Sequence, residues 1–223
     1  MIEQYRIGII DDDPSKITQM ITMLRLCCND EDGRSLKEKY ANYELIPIEL
    51  VLADSTDDMV ERVIEERLDA AIIDYKLSSQ RSISYTGVSL AKELHLRLWE
   101  FPIFVLTTYQ DDLFDRELFD SYLVFAFDRY IEDDQERIEL NSKLIEQIKK
   151  YRIEMANRKR ELETLLPHAG ESSSIDERIL ELDSQLEKSF DGRDAIPLPV
   201  KRDFTAERIN ELISKIDLLI EGE

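Results

Sequence analysis

Three short apolar runs in the first half of the chain each stop abruptly at carboxylates or hydroxyls. Tyr5-Arg6-Ile7-Gly8-Ile9-Ile10 runs into Asp11-Asp12-Asp13-Pro14. Leu68-Asp69-Ala70-Ala71-Ile72-Ile73 runs into Asp74, and Pro102-Ile103-Phe104-Val105-Leu106 into Thr107-Thr108. Continuous apolar runs of this length between turn signals read as strands buried on both faces, the pattern of a parallel sheet covered by helices. Sites in open sheets of this kind gather where the carboxyl ends of the strands meet solvent. Those ends deliver three carboxylates and a hydroxyl to one edge, the outline of a cation and phosphoryl site.

The stretches between these runs have helical patterns. Asp13-Pro14-Ser15 is a helix start, with proline suited to the first turn, and Ile17, Met20, Ile21, Leu24 and Leu26 follow on an apolar face. Ile46 to Leu52 reads as a second strand in which Pro47 marks a beginning or an edge position. Ser55-Thr56-Asp57 caps a helix through Met59, Val60, Val63 and Ile64. Gly87 opens another over Val88–Leu98, an acidic helix is expected near Asp111–Phe119, and Tyr122 to Phe127 is the fifth strand. The expected fold class is therefore α/β: a five-stranded, parallel, doubly wound sheet over residues 1–135.

Residues 136–223 are expected to form an all-α extension. Leu144, Ile148, Tyr151, Met155, Arg158, Leu162 and Leu165 step by four and three residues, a heptad-like seam interrupted by one arginine. A long helix is expected over about 135–166, stopped by Pro167-His168-Ala169-Gly170, and a second over about 174–190. A linker at 191–203 carries Pro197 and Pro199, and a last helix follows over about 204–221. Such a seam is a route to a homodimer, or folds back on its own domain.

Charge narrows the partners. The net charge is −20, with 18 basic against 32 acidic residues over 1–150 and 11 against 17 over 151–223. Nucleic-acid affinity rests largely on Lys and Arg neutralising phosphates, so DNA or RNA is not an expected partner and proteins are. No apolar stretch has the length of a membrane span, and the start lacks a basic, cleavable leader. Cys27 and Cys28 are adjacent and are the only cysteines, neither a disulfide framework nor a metal set. A soluble, cytoplasmic protein is the expectation.

The segments Ile9-Ile10-Asp11-Asp12-Asp13-Pro14, Ile72-Ile73-Asp74-Tyr75-Lys76-Leu77, Thr86-Gly87-Val88 and Phe104-Val105-Leu106-Thr107-Thr108 resemble, in order and strand-end position, the receiver domain of bacterial response regulators. The resemblance spans roughly residues 4–135. It implies a flavodoxin-like sheet and Asp74 as phosphoacceptor, with a histidine kinase as donor. It also implies Mg²⁺ held by Asp12 directly, by Asp11 through water, and by Asp74 and the backbone carbonyl of Lys76. Thr107 would bond a phosphoryl oxygen and move inward on phosphorylation, and Phe125 or Tyr122 would be the aromatic that swings with it. The chemistry suits the residue types: a carboxylate can hold a phosphoryl group as an acyl phosphate, and Mg²⁺ prefers oxygen ligands.

Two features depart from that pattern. Receivers place a lysine after the fifth strand, but none lies between Lys92 and Lys143. Alignment by the strand end puts Phe127 there, and counting from Thr107 puts Arg129 there. Ser78 also stands where a proline is usual, and Gln80–Tyr85 lengthens the loop to Gly87. A receiver acting as a phosphorylation-independent dimerisation or adaptor module is therefore an alternative. A third reading, a haloacid-dehalogenase-like phosphatase, matches Asp11, Asp13 and Ser15 as a first motif and Thr107 as a second. That class also needs a lysine and a later acidic pair.

Overall fold

The computed structural model describes residues 2–30, 32–77, 83–108 and 124–190. The expected acidic helix near Asp111–Phe119, Tyr122, the 191–203 linker and the last helix lie outside these. The chain divides into two compact units, Met1–Arg152 and Ile153–Glu223.

The first unit holds one sheet of five strands: β1 (Glu3–Ile10), β2 (Tyr43–Glu49), β3 (Ala70–Asp74), β4 (Ile103–Thr107) and β5 (Val124–Ala126). Their spatial order is β2-β1-β3-β4-β5 and every pairing is parallel. This is the flavodoxin-like order. β2 is an edge strand, which explains how Pro47, paired with Ile7, is tolerated without a backbone N–H to donate.

Side chains of successive strand residues point to opposite faces, and the apolar runs fill two separate cores. Ile7, Ile9, Ala70, Ile72, Phe104 and Leu106 face one cluster. Ile10, Ala71, Ile73, Ile103 and Val105 face the other. The first cluster is covered by α1 (Pro14–Leu26) through Ile17, Met20 and Leu24, and by α4 (Phe127–Glu132) through Phe127 and Tyr130. The second is covered by α2 (Thr56–Glu65) through Met59, Val60 and Val63, and by α3 (Gly87–Arg97) through Leu90, Ala91 and Leu94. The caps follow the sequence: Asp13 accepts from the Ser15 amide, Ser55 from Asp58, and Thr86 with Ser89 forms a reciprocal capping box.

A long helix, α5, spans Asp134–Leu165. Its first turns belong to the sheet core: Ile138, Leu140, Leu144, Ile145 and Ile148 are buried in the first cluster. The beginning of the heptad-like seam is thus the face by which this helix covers its own sheet. Polar contacts fix the docking. Asn141 Nδ2 donates to the carbonyls of Cys27 (2.7 Å) and Met23 (3.3 Å), and its Oδ1 accepts from the Tyr130 hydroxyl (3.1 Å). Arg137 Nη2 donates to the Asn29 carbonyl at 2.9 Å. Asn141 thereby satisfies carbonyls at the end of α1, and Arg137 one in the turn that follows. Farther along, Arg152 pairs with Asp69 at 2.6 Å and lies over the Tyr5 ring.

In the second unit the last turns of α5 lead through a short 3₁₀ turn, Leu166–His168, to α6 (Ser173–Phe190). Gly170 turns with φ +85°, a conformation open to glycine, and its amide donates to Asp176. Arg178 grips Glu161 with two bonds, Nε–Oε1 at 2.8 Å and Nη2–Oε2 at 2.9 Å. Leu182 and Leu186 are buried. Among the described residues, no helix is long and apolar enough to cross a membrane.

Candidate functional site

The sheet order itself makes a crevice. From β1 the chain passes to α1 on one face, and from β3 to α3 on the other, so the carboxyl ends of these adjacent strands open between diverging connections. Asp11 and Asp12 follow β1, and Asp74 closes β3. All three are buried, and one carboxylate oxygen of each lies within 4.8 Å of the others. Thr107, also buried, ends β4 beside them. Asp12, Asp13, Lys16, Asp74, Tyr75, Lys76, Thr107 and Thr108 line one cleft of about 180 Å³.

Asp74 is held from two sides. Its Oδ2 accepts the Lys76 amide at 3.0 Å, and its Oδ1 faces Lys16 Nζ at 3.0 Å. Asp11 Oδ1 accepts the Asp13 amide at 2.8 Å, while Asp13 Oδ1 is engaged as the cap of α1. Burial, followed by the charge of Asp74, pushes the Asp11 carboxyl up to about 7. Clustered carboxylates therefore leave negative charge only partly compensated here.

Glycine at position 87 is a steric requirement of the site. A Cβ at that position would lie 1.9 Å from the Asp74 carbonyl oxygen and 3.1 Å from that of Tyr75. The Gly87 amide donates to the Tyr75 carbonyl at 3.2 Å. The loop returning to α3 is also pinned by Tyr85, whose hydroxyl donates to the Ala53 carbonyl at 2.8 Å.

The strand order decides the fold type. The fold is flavodoxin-like. Among solved structures the chain is similar to the anti-anti-sigma factor PhyR from Bartonella quintana, at 13% identity and a TM-score of 0.43. That match covers 70% of this chain and 51% of that one, so the chain spans about half of that protein. It is also similar to the signal receiver domain of a modulated diguanylate cyclase from Desulfovibrio desulfuricans G20, at 17% identity and a TM-score of 0.44, over 68% of this chain and 99% of that one. A LuxR-family two-component response regulator from Aurantimonas sp. SI85-9A1 matches at 14% identity and a TM-score of 0.41, over 68% and 99%. No protein-family model and no curated protein matches the chain.

The remaining residues singled out in the sequence lie elsewhere. Arg129 is on α4, largely exposed, paired with Glu136 at 3.3 Å, and lines a second cleft with Met23, Ile131 and Arg137. Phe125 is half-buried, 6.0 Å from the Phe104 ring, with Lys143 Nζ over its face. Phe127 is buried, and its ring lies 5.3 Å from Lys16 Nζ.

Lys16 is the site residue that the strand-end motifs do not announce. It sits in the first turn of α1, where a cation opposes the positive end of the helix macrodipole. That local mismatch was its one signal in the sequence. Burial alone would lower the Lys16 ammonium, but the hydrogen bond and charge of Asp74, with Asp11 and Asp13, carry it above its usual value.

Proposed function

We propose that this protein is a response-regulator-type signalling protein that accepts a phosphoryl group on Asp74 in a Mg²⁺-dependent reaction. The observation that carries this reading is the convergence of Asp11, Asp12 and Asp74 within 4.8 Å at the β1/β3 crevice, with Thr107 lining the same cleft. Hard carboxylate oxygens are the donor set Mg²⁺ prefers, and the Lys16 ammonium seated on Asp74 is consistent with a cluster that attracts cations. Asp11, Asp12, Asp74 and the Lys76 carbonyl would hold the ion. Bound there, Mg²⁺ would offset charge on the phosphoryl oxygens.

The protein's own groups account for the rest. An Asp74 carboxylate oxygen attacks the donor phosphorus. The new O–P bond forms as the donor's bond to phosphorus breaks, and that bond's electron pair leaves with the donor, a phosphohistidine or a small acyl phosphate. The Lys76 amide orients the carboxylate by its bond to Oδ2. The Thr107 hydroxyl, which lines the same cleft, would meet a phosphoryl oxygen. With a net charge of −20, output is through protein contacts rather than nucleic acid.

Radiolabelled acetyl phosphate tests this directly. Wild type should take up acid-stable, base-labile label only with Mg²⁺, and Asp74→Ala should take up none. Label that persists in Asp74→Ala would sink the assignment.

A second reading is favoured by the ion pair itself. Lys16, a side chain of the protein itself, neutralises Asp74, as a constitutive binding module would require. Partner binding indifferent to Mg²⁺ and to acetyl phosphate would support it.

A further inference from the structure

Lys16 Nζ lies 3.0 Å from Asp74 Oδ1, with its side chain one-fifth exposed and that of Asp74 almost fully covered. The ammonium enters the same cleft that Asp12, Asp74 and Thr107 line, across the face of Phe127. Phe127 begins α4 directly after β5, so an aromatic ring lies beneath the ammonium of a lysine delivered from another helix. A flexible four-carbon stem carrying a compact charge can be redirected without moving its backbone. The geometry points to Lys16 as an internal counter-cation of the acidic cluster, which occupies Asp74 at rest, competes with Mg²⁺ for it, and turns to the phosphoryl group once that is attached.

A lysine in the first helical turn forfeits dipole stabilisation, and a part-buried ion pair is weak grounds for stability. Facing it are three carboxylates confined to a few ångströms. Mg²⁺ bound to all three would share Asp74 with an ammonium that repels it, so the ion must displace Lys16 or bind more weakly. An acyl phosphate brings anionic oxygens to the Asp74 end of the cleft, within the reach of the displaced ammonium. The lysine absent after β5 is thus replaced from α1, at the cost of a resting state in which Mg²⁺ and Lys16 exclude each other.

This inference rests on the phosphoacceptor reading, and its test separates the two. Full-length wild type, Lys16→Met and Lys16→Gln would be titrated with Mg²⁺ alone by calorimetry, and then with beryllofluoride at saturating Mg²⁺. Removing the ammonium should tighten Mg²⁺ binding about tenfold and enlarge the Mg²⁺-induced rise in Tm, while weakening beryllofluoride binding at least tenfold. A lysine that merely holds Asp74 in place would shift both affinities the same way or neither. Mg²⁺ affinity equal to or below that of wild type in a folded variant overturns the inference. Wild type that binds no Mg²⁺ overturns the phosphoacceptor reading itself. Lys16→Gln keeps a polar partner for Asp74 without the charge, so the test stands if Lys16→Met does not fold.

Discussion

The place where Gly87 would carry a Cβ lies 1.9 Å from the carbonyl oxygen of Asp74. The N-terminus of α3 is therefore seated on the end of β3, and the loop between them is tied to the residue that the site depends on. Gly87→Ala must push these backbones apart, since no flexible side chain is available to yield. Overpacking of this kind costs roughly 1–3 kcal/mol. We expect a lowered Tm and weakened Mg²⁺ binding together, measured by thermal unfolding and calorimetry; unchanged values for both would contradict the close approach.

Stability of the metal-free protein should depend on pH through Asp11. Its carboxyl is raised from 3.8 to about 7 in the folded state, by burial and then by the Asp74 charge. Between these values the folded state holds a proton that the unfolded chain has released, so stability falls as pH rises from about 4 to 7. The penalty is constant above that window. Denaturant unfolding in chelator should show this slope, Asp11→Asn should flatten it, and Mg²⁺ should offset the loss near neutral pH.

Asn141 joins α5 to the end of α1 through the Cys27 and Met23 carbonyls and the Tyr130 hydroxyl. It is fully buried. Asn141→Ala strands several buried polar groups at once, each costing about 1–3 kcal/mol when left without a partner. A loss of more than about 2 kcal/mol in urea unfolding is expected. A loss under half of that would mean water replaces the amide.

Arg178 and Glu161 make a two-bond ion pair, but both side chains are more than two-fifths exposed. Exposed pairs contribute at most about 1 kcal/mol. Arg178→Ala should therefore lower Tm only slightly, and less in high salt, by differential scanning calorimetry. A large, salt-insensitive drop would show that the arginine stem packs as well as pairs.

The first unit ends at Arg152, and Ile138, Leu140, Leu144, Ile145 and Ile148 lie in its core. A fragment of residues 1–152 is expected to unfold cooperatively on its own. A fragment of 1–135 exposes the apolar cluster those side chains cover and should be aggregation-prone or unfolded by circular dichroism.

The sequence by itself determined the parallel strands and the carboxylates and hydroxyl at their ends. Runs such as Ala70–Asp74 carry apolar side chains on both faces, which is compatible only with burial between helix layers. Asp11, Asp12, Asp74 and Thr107 become neighbours once β1, β3 and β4 lie side by side. The same runs do not specify which strands neighbour one another, so the order β2-β1-β3-β4-β5 and the crevice between β1 and β3 belong to the tertiary structure. So does the source of the cation. A separation of 58 positions between Lys16 and Asp74 carries no information about their contact, and a motif centred on β5 points to Phe127 or Arg129 instead. Only packing of α1 against α4 brings the Lys16 ammonium over Phe127 and into the cleft. The end of the sheet domain was hidden for a related reason: the seam from Leu144 onward keeps one helical period, while what that face packs against is fixed by contacts far away in the chain.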